Sequence, residues 1–138
     1  MNTSLRSFPS TILLARGICQ NPISLALQLH ALNATTGLRK FVSPTIGAIY
    51  GSPLVTASAV VVGSFGGNWV YSLDLVSGGL QWAFSGAGGS LYSSPVLSTS
   101  GLTVMIGSDD NLLYALNAAT GALQWTFATN GTVRAVNE

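Results

Sequence analysis

The side chains able to carry chemistry are few in this chain, and their spacing brings no two of them into a working pair. His30 is the single histidine, Cys19 the single cysteine, and the first of four acids is Asp74. A general base or metal ligand at His30 would need a partner, and by alignment it takes a strand packing position also held by Tyr71 and Tyr114. Asp109, Asp110 and Asn111 are adjacent oxygen donors of the type that holds calcium. Calcium takes about six or more oxygens, and neither an EF-hand spacing nor a glycine-rich calcium repeat surrounds them, so they read as a solvated hairpin loop. Ser52, Ser64, Ser94 and Ser108 recur beside glycine or proline, without the strand-to-helix elbow or His/Asp pair that activates a nucleophile. Gly86-Ala87-Gly88-Gly89 opens no helix and precedes no lysine, so it reads as a flexible turn between units rather than a phosphate cradle. No catalytic, cofactor-binding or metal residue is assigned.

The elements around these residues are strands. Of the 138 residues, 48% are hydrophobic, only 7% are charged, and 16 are glycine. Sheets buried on both faces and joined by tight turns have this composition. A formal net charge of +1 leaves no electrostatic footprint for nucleic acid. No apolar run reaches the length of about 18 residues that a spanning helix needs. One cysteine permits no internal disulfide and leaves the compartment open. Residues 1–26 contain Arg6 and Arg16, several Ser and Thr and no acid. Two readings stand for that segment: a degenerate strand or tail, and an organelle-targeting composition.

A repeat organises the rest. His30-Ala31-Leu32-Asn33-Ala34-Thr35-Thr36-Gly37, followed by Phe41, matches Tyr71-Ser72-Leu73-Asp74-Leu75-Val76-Ser77-Gly78, followed by Trp82. Both match Tyr114-Ala115-Leu116-Asn117-Ala118-Ala119-Thr120-Gly121, followed by Trp125. The glycines lie 41 and 43 positions apart. Tyr50-Gly51-Ser52-Pro53 matches Tyr92-Ser93-Ser94-Pro95 at an offset of 42. Each period holds four strand-like runs, expected at 50–55, 59–64, 69–74 and 80–84, then at 91–97, 102–108, 112–117 and 122–127. Four strands in about 40–45 residues is a propeller blade.

The recurring residues have physical reasons to recur. Asn33, Asp74 and Asn117 end a strand and bond the turn backbone two residues on. Thr36, Ser77 and Thr120 add a hydroxyl to that turn, and Gly37, Gly78 and Gly121 close it in a left-handed conformation. Pro53 and Pro95 cannot donate to a ladder, which places the first strand of each unit at an edge, the inner one. Trp82 with Phe84, and Trp125 with Phe127, read as aromatic pairs packed against an adjacent blade.

The pattern Ala-x-Asn/Asp-x-x-Thr-Gly-x-x-x-Trp resembles the repeat of pyrroloquinoline-quinone (PQQ) type β-propellers. Ala115 to Trp125 follows it, Ser72 to Trp82 is a close variant, and Ala31 to Phe41 replaces the tryptophan with Phe41. Ser94-Pro95-Val96 and Gly107-Ser108-Asp109-Asp110 also resemble the family consensus, and the likeness spans about residues 28–136. The resemblance implies an all-β fold: a partial, open β-propeller of four-stranded antiparallel blades. It implies that Trp82 and Trp125 dock neighbouring blades and that Phe41 does so more weakly. Its functional implications are broad: quinoprotein dehydrogenases with PQQ and calcium, an outer-membrane assembly lipoprotein, and sensing domains fused to kinases or adenylating enzymes. The expected division is an uncertain segment at 1–26, a half blade at 27–43, full blades at 48–85 and 90–128, and the start of another at 129–138. A closed propeller needs roughly four to eight blades, so an arc of about three expects a protein partner, the remaining blades or self-association. The reading is a non-catalytic scaffold or protein-interaction segment, a fragment of a longer propeller, without a cofactor of its own; the alternatives are part of a PQQ-dependent quinoprotein dehydrogenase and a sensor propeller fused to a kinase or adenylating enzyme.

Overall fold

Three near-identical turns organise the chain. In each, an Asn or Asp carboxamide or carboxylate oxygen accepts the backbone N–H groups two and three residues on: Thr35 and Thr36 to Asn33, Val76 and Ser77 to Asp74, Ala119 and Thr120 to Asn117. The closing glycines hold φ of 70°, 73° and 73° at Gly37, Gly78 and Gly121, a region that costs other residues about 1–2 kcal/mol. Each turn ends a strand pair with the same bulge, between Ala31/Leu32, Ser72/Leu73 and Ala115/Leu116.

The structure is a computed structural model and describes residues 2–8, 11–17, 28–44 and 46–134. Among these residues the strands form three antiparallel four-stranded sheets, each a blade. Blade 1 comprises β1 (Asn2–Phe8), β2 (Thr11–Gly17), β3 (Gln28–Asn33) and β4 (Arg39–Val42). Blade 2 comprises β5 (Leu54–Val55), β6 (Ala59–Gly63), β7 (Val70–Asp74) and β8 (Leu80–Phe84). Blade 3 comprises β9 (Val96–Leu97), β10 (Thr103–Gly107), β11 (Leu112–Asn117) and β12 (Leu123–Ala128). In every blade the strands are ordered as in the sequence. The fold is a partial, open β-propeller.

Blade 1 differs from the half unit expected over 27–43. Strands β1 and β2 complete it, with Ile12 opposite Leu32 and Leu14 opposite His30. This pair lacks the Tyr-x-Ser-Pro segment that marks the first strand of the other two units in the sequence. Cys19 and residues 135–138 lie outside the described residues.

The blades stack through alternating side chains. Along β6, Val60 and Val62 join Leu29, Ala31 and Phe41 of blade 1 in one core cluster. Val61 joins Trp82, Leu91, Val104 and Ile106 in a second cluster, shared with blade 3. Strand β6 is therefore buried along its whole length, as the period-two geometry of a strand between two neighbours requires.

The first strands of blades 2 and 3 are shorter than the runs 50–55 and 91–97. Pro53 and Pro95 have no N–H to offer, and each precedes a strand of two residues, β5 and β9. Side chains take over part of the ladder: the Ser93 hydroxyl donates to the Gly107 carbonyl (2.9 Å) and accepts its N–H (2.8 Å). The segments that lead into these two strands also bond directly, Ser52 N–H donating to Ser94 Oγ at 2.7 Å. A Cβ on Gly51 would lie 2.7 Å from the Ser93 carbonyl carbon, so this approach requires glycine.

Candidate functional site

The feature that recurs between blades is a joint made by one aromatic ring and one glycine. Phe41 ends blade 1 and lies on Gly78 of blade 2, where a Cβ would stand 2.7 Å from the ring's Cγ. Trp82 ends blade 2 and lies on Gly121 of blade 3, where a Cβ would stand 2.6 Å from the indole Cδ2. The Trp82 indole Nε1–H also donates to the Ala118 carbonyl of that turn at 3.1 Å. Phenylalanine has no such donor, so the Phe41 joint rests on packing alone. Trp125, third in the series, is 46% exposed where Trp82 is 7% exposed, and Phe127 beside it is 62% exposed. The turn glycines mirror this: Gly78 and Gly121 are buried, whereas Gly37 is exposed.

A second feature forms on the side of the blades where the β6–β7 and β10–β11 loops meet the segments leading into β5 and β9. Tyr50, Phe65 and Tyr92 make a three-ring cluster, with centroids 5.1, 5.2 and 5.0 Å apart and the Tyr50–Phe65 pair edge to face. The Arg134 guanidinium lies 5.0 Å over the Tyr92 ring. Its Nε and Nη2 donate to Asp109 at 3.1 and 3.2 Å in a bidentate pair. Positions 50, 92 and 134 are each 42 apart, and Asp109 occupies in blade 3 the loop position of Phe65 in blade 2. The rim thus changes character along the arc, from aromatic to charged.

The acids have defined duties. Asp110 clasps two units together: Oδ2 accepts the Tyr114 hydroxyl (2.5 Å) and the Gly88 N–H (2.8 Å), while Oδ1 accepts the Leu112 N–H (3.0 Å). Burial pushes the Asp110 carboxyl up, but the donors Tyr114, Gly88, Ser108 and Leu112 together hold it below the ordinary carboxylate range. Burial and the bond to Asp110 push the Tyr114 phenol up. Asp74 is held low by the Ser77 N–H and hydroxyl and by the Val76 N–H. The loop expected as a solvated hairpin also holds a structural clasp, and Gly86–Gly89 is tied to it through Gly88.

These contacts test the fit of a calcium-bound quinone. The carboxylates of Asp74, Asp109 and Asp110 already accept protein donors. No group of three or more His, Cys, Asp or Glu that could hold a metal occurs among the described residues. The described residues do not fit that cofactor. His30 sits half-buried in β3 opposite Val42. A groove of about 540 Å³ opens between blades 2 and 3, lined by Thr56, Ser58, Gln81 and Ala118 among others, with no ionisable group in its lining. No helix among the described residues is long and apolar enough to cross a membrane.

The twelve motif residues fall into the three turns and the three ring positions, and the structure brings Phe41 to Gly78 and Trp82 to Gly121 but leaves Trp125 and Gly37 apart. Sequence reasoning did not assemble the aromatic rim. The recurrence of Tyr50 and Tyr92 at 42 residues was the available signal, but Phe65 enters from another loop.

Ring-on-glycine joints between four-stranded blades define a propeller repeat protein. A family model described as "Outer membrane protein assembly factor BamB" matches residues 23–137. The chain belongs to that family of PQQ-like propeller repeats. No curated protein matches it. Among solved structures, BamB from Moraxella catarrhalis is similar at 23% identity and a TM-score of 0.72, over 92% of this chain and 37% of that one. The computationally designed Ika4 protein is similar at 14% identity and a TM-score of 0.80, over 100% of this chain and 79% of that one. Quinohemoprotein alcohol dehydrogenase ADHIIG from Pseudomonas putida HK5 is similar at 18% identity and a TM-score of 0.72, over 93% of this chain and 26% of that one. At these identities the likeness is one of fold, and the chain spans 37% of the length of that BamB structure.

Proposed function

We propose that this chain is a scaffold and protein-interaction segment of a PQQ-like propeller rather than a catalytic unit. One observation carries the reading: the outward face of blade 3 leaves Trp125 46% and Phe127 62% exposed, at positions built to bury an aromatic ring against a neighbour. Aromatic residues clustered on one apolar face are the residues from which protein interfaces draw most of their binding energy. The recurring polar residues support the same reading, since turns and the inter-blade clasp account for their hydrogen bonds.

The test is a photoreactive residue placed at 127 in cells, with the same residue at Val76, an 83% exposed turn position, as control. Protein cross-links at 127 and none at 76 are expected. Equal labelling at both positions would overturn the reading. So would dye reduction with alcohols or aldoses after reconstitution with quinone and calcium.

A further inference from the structure

The groove of about 540 Å³ between blades 2 and 3 has described strands on both sides, so its shape is set inside the chain. A volume of this size lies within the roughly 300–1,000 Å³ of small-ligand pockets. Val61 and Val104, both buried, and Ala118 form its apolar floor, and the uncharged Thr56, Ser58 and Gln81 form its polar edge. The junction between blades 1 and 2 is an internal control. There the position of Ala118 is held by Leu75, and the backbone tie is the same: Leu75 N–H donates to the Ser58 carbonyl at 3.0 Å, and Ala118 N–H to the Leu102 carbonyl at 2.9 Å. The aliphatic side chain of Leu75 packs against the core cluster shared by blades 1 and 2. Ala118 brings only a methyl group to the cluster shared by blades 2 and 3, and Ala119 beside it stands where blade 2 has Val76. The larger ring of Trp82, in the place of Phe41, offsets part of the lost volume, and the groove is what remains.

We infer that this groove receives an aliphatic side chain of leucine size, carried on an uncharged peptide segment of a partner protein. The occupant is read from the sibling junction, where the chain supplies that group itself through Leu75. The lining holds no ionisable group, so a charged side chain would lose its water without gaining a pair, whereas an aliphatic one gains the contacts of Val61, Val104 and Ala118. The edge suits a peptide backbone: the Ser58 hydroxyl makes no hydrogen bond among the described residues, and the Gln81 amide lies beside it, its Nε2 donating to the Ser58 carbonyl at 3.5 Å. The floor has a reporter of its own, because the Trp82 indole Nε1–H donates to the carbonyl of Ala118 at 3.1 Å. The site is separate from the face around Phe127 and does not rest on it.

The test titrates the 138-residue chain with N-acetyl-leucine N-methylamide and follows the three indole N–H signals, of Trp69, Trp82 and Trp125, in nitrogen–proton correlation spectra. The Trp82 signal should shift saturably, with half-saturation at about 1 mM for a ligand this small, while the other two stay in place. The alanine analogue should bind about tenfold or more weakly, because it lacks the groups that fill the groove. The glutamate analogue should not saturate. Ala118→Leu installs the residue that blade 2 has at this position and should raise the half-saturation concentration about tenfold or more. Ala119→Val, a change at an exposed turn position to the residue of blade 2, should act in the same direction and decides the matter if Ala118→Leu does not fold. No saturable shift at Trp82, equal binding of the leucine and alanine analogues, tight binding of the glutamate analogue, or unchanged binding in a folded blocking variant would each overturn the inference. Each of these results leaves cross-linking from position 127 as it was, so the groove and the interaction reading fail separately.

Discussion

Replacing Gly121 by alanine isolates what the ring-on-glycine joint contributes, provided a matched glycine is changed beside it. Gly121 and Gly101 have nearly the same backbone, with φ of 73° and 74°. Their surroundings differ. A Cβ on Gly101 meets nothing within 4 Å, whereas one on Gly121 falls 2.6 Å from Cδ2 and 3.1 Å from Cγ of Trp82. Both substitutions incur the left-handed backbone cost of about 1–2 kcal/mol. Only Gly121→Ala also overpacks a fitted contact, which adds about 1–3 kcal/mol. The expected losses are therefore about 1–2 kcal/mol for Gly101→Ala and about 2–5 kcal/mol for Gly121→Ala. Against a typical domain stability of about 5–15 kcal/mol, the second is a large share. Urea denaturation at one protein concentration, with midpoint and slope fitted separately, reads the difference. In a Trp82→Ala background the ring is gone, so Gly121→Ala should then cost no more than Gly101→Ala. Equal losses in the wild-type background, or an unchanged gap once Trp82 is removed, would refute the packing argument.

Asp110→Ala should cost about 1–3 kcal/mol by stranding the Gly88 and Leu112 donors and the Tyr114 hydroxyl; thermal melts should still place it above Gly121→Val, and the reverse order would argue for a role beyond the clasp. Trp82→Phe should lose about 1 kcal/mol with the Nε1–Ala118 bond, and Phe41→Trp should gain about 0.5–1.5 kcal/mol by offering the same bond to the aligned Leu75 carbonyl, both measured by denaturation. Asp74 and Asp110 have folded pKa values below their ordinary ones, so their stabilisation is present above the unfolded value of about 3.9 and is lost as pH falls through the lowered folded values. Melting temperature should thus hold from neutral pH down to about 5 and fall below about 4, with a smaller fall in Asp110→Ala.

How much of this was legible follows from where each constraint resides. The turns were readable because their determinants are local: an oxygen at Asn33, Asp74 or Asn117, a hydroxyl next to the glycine, and a glycine required by φ. The blade period was readable because the chain repeats those determinants about every 42 residues. The shortening of β5 and β9 to Leu54–Val55 and Val96–Leu97 was not, because Ser93 and Ser94 use side-chain oxygens on backbone partners 14 and 42 residues away. Strands β1 and β2 lack the Tyr-x-Ser-Pro segment of the other units, and their pairing with β3 shows that blade 1 has four strands. Asp110 looked like one of two equivalent loop acids. The structure separates them: Asp109 pairs with Arg134, and Asp110 is enclosed by Tyr114 and Gly88. Proximity across blades, which sequence spacing does not reveal, makes that distinction.

The same residue type in successive blades acts as an internal control on stacking. Trp82 and Trp125 have the same strand position and the same preceding turn, and they differ in one respect: a blade follows the first among the described residues. The change from 7% to 46% exposure is therefore an effect of the neighbour, not of the strand. The equivalent fourth strands show the consequence: Trp82 is the buried residue of β8, while β12 of blade 3 is exposed throughout. In a linear array, stability is a sum of unit terms and neighbour terms, and a terminal unit lacks one neighbour term. Here the unit terms are weak, because an isolated blade presents apolar side chains on both faces. The neighbour terms must then hold the array, through the apolar cluster at each junction and the aromatic ring lying on a glycine within it.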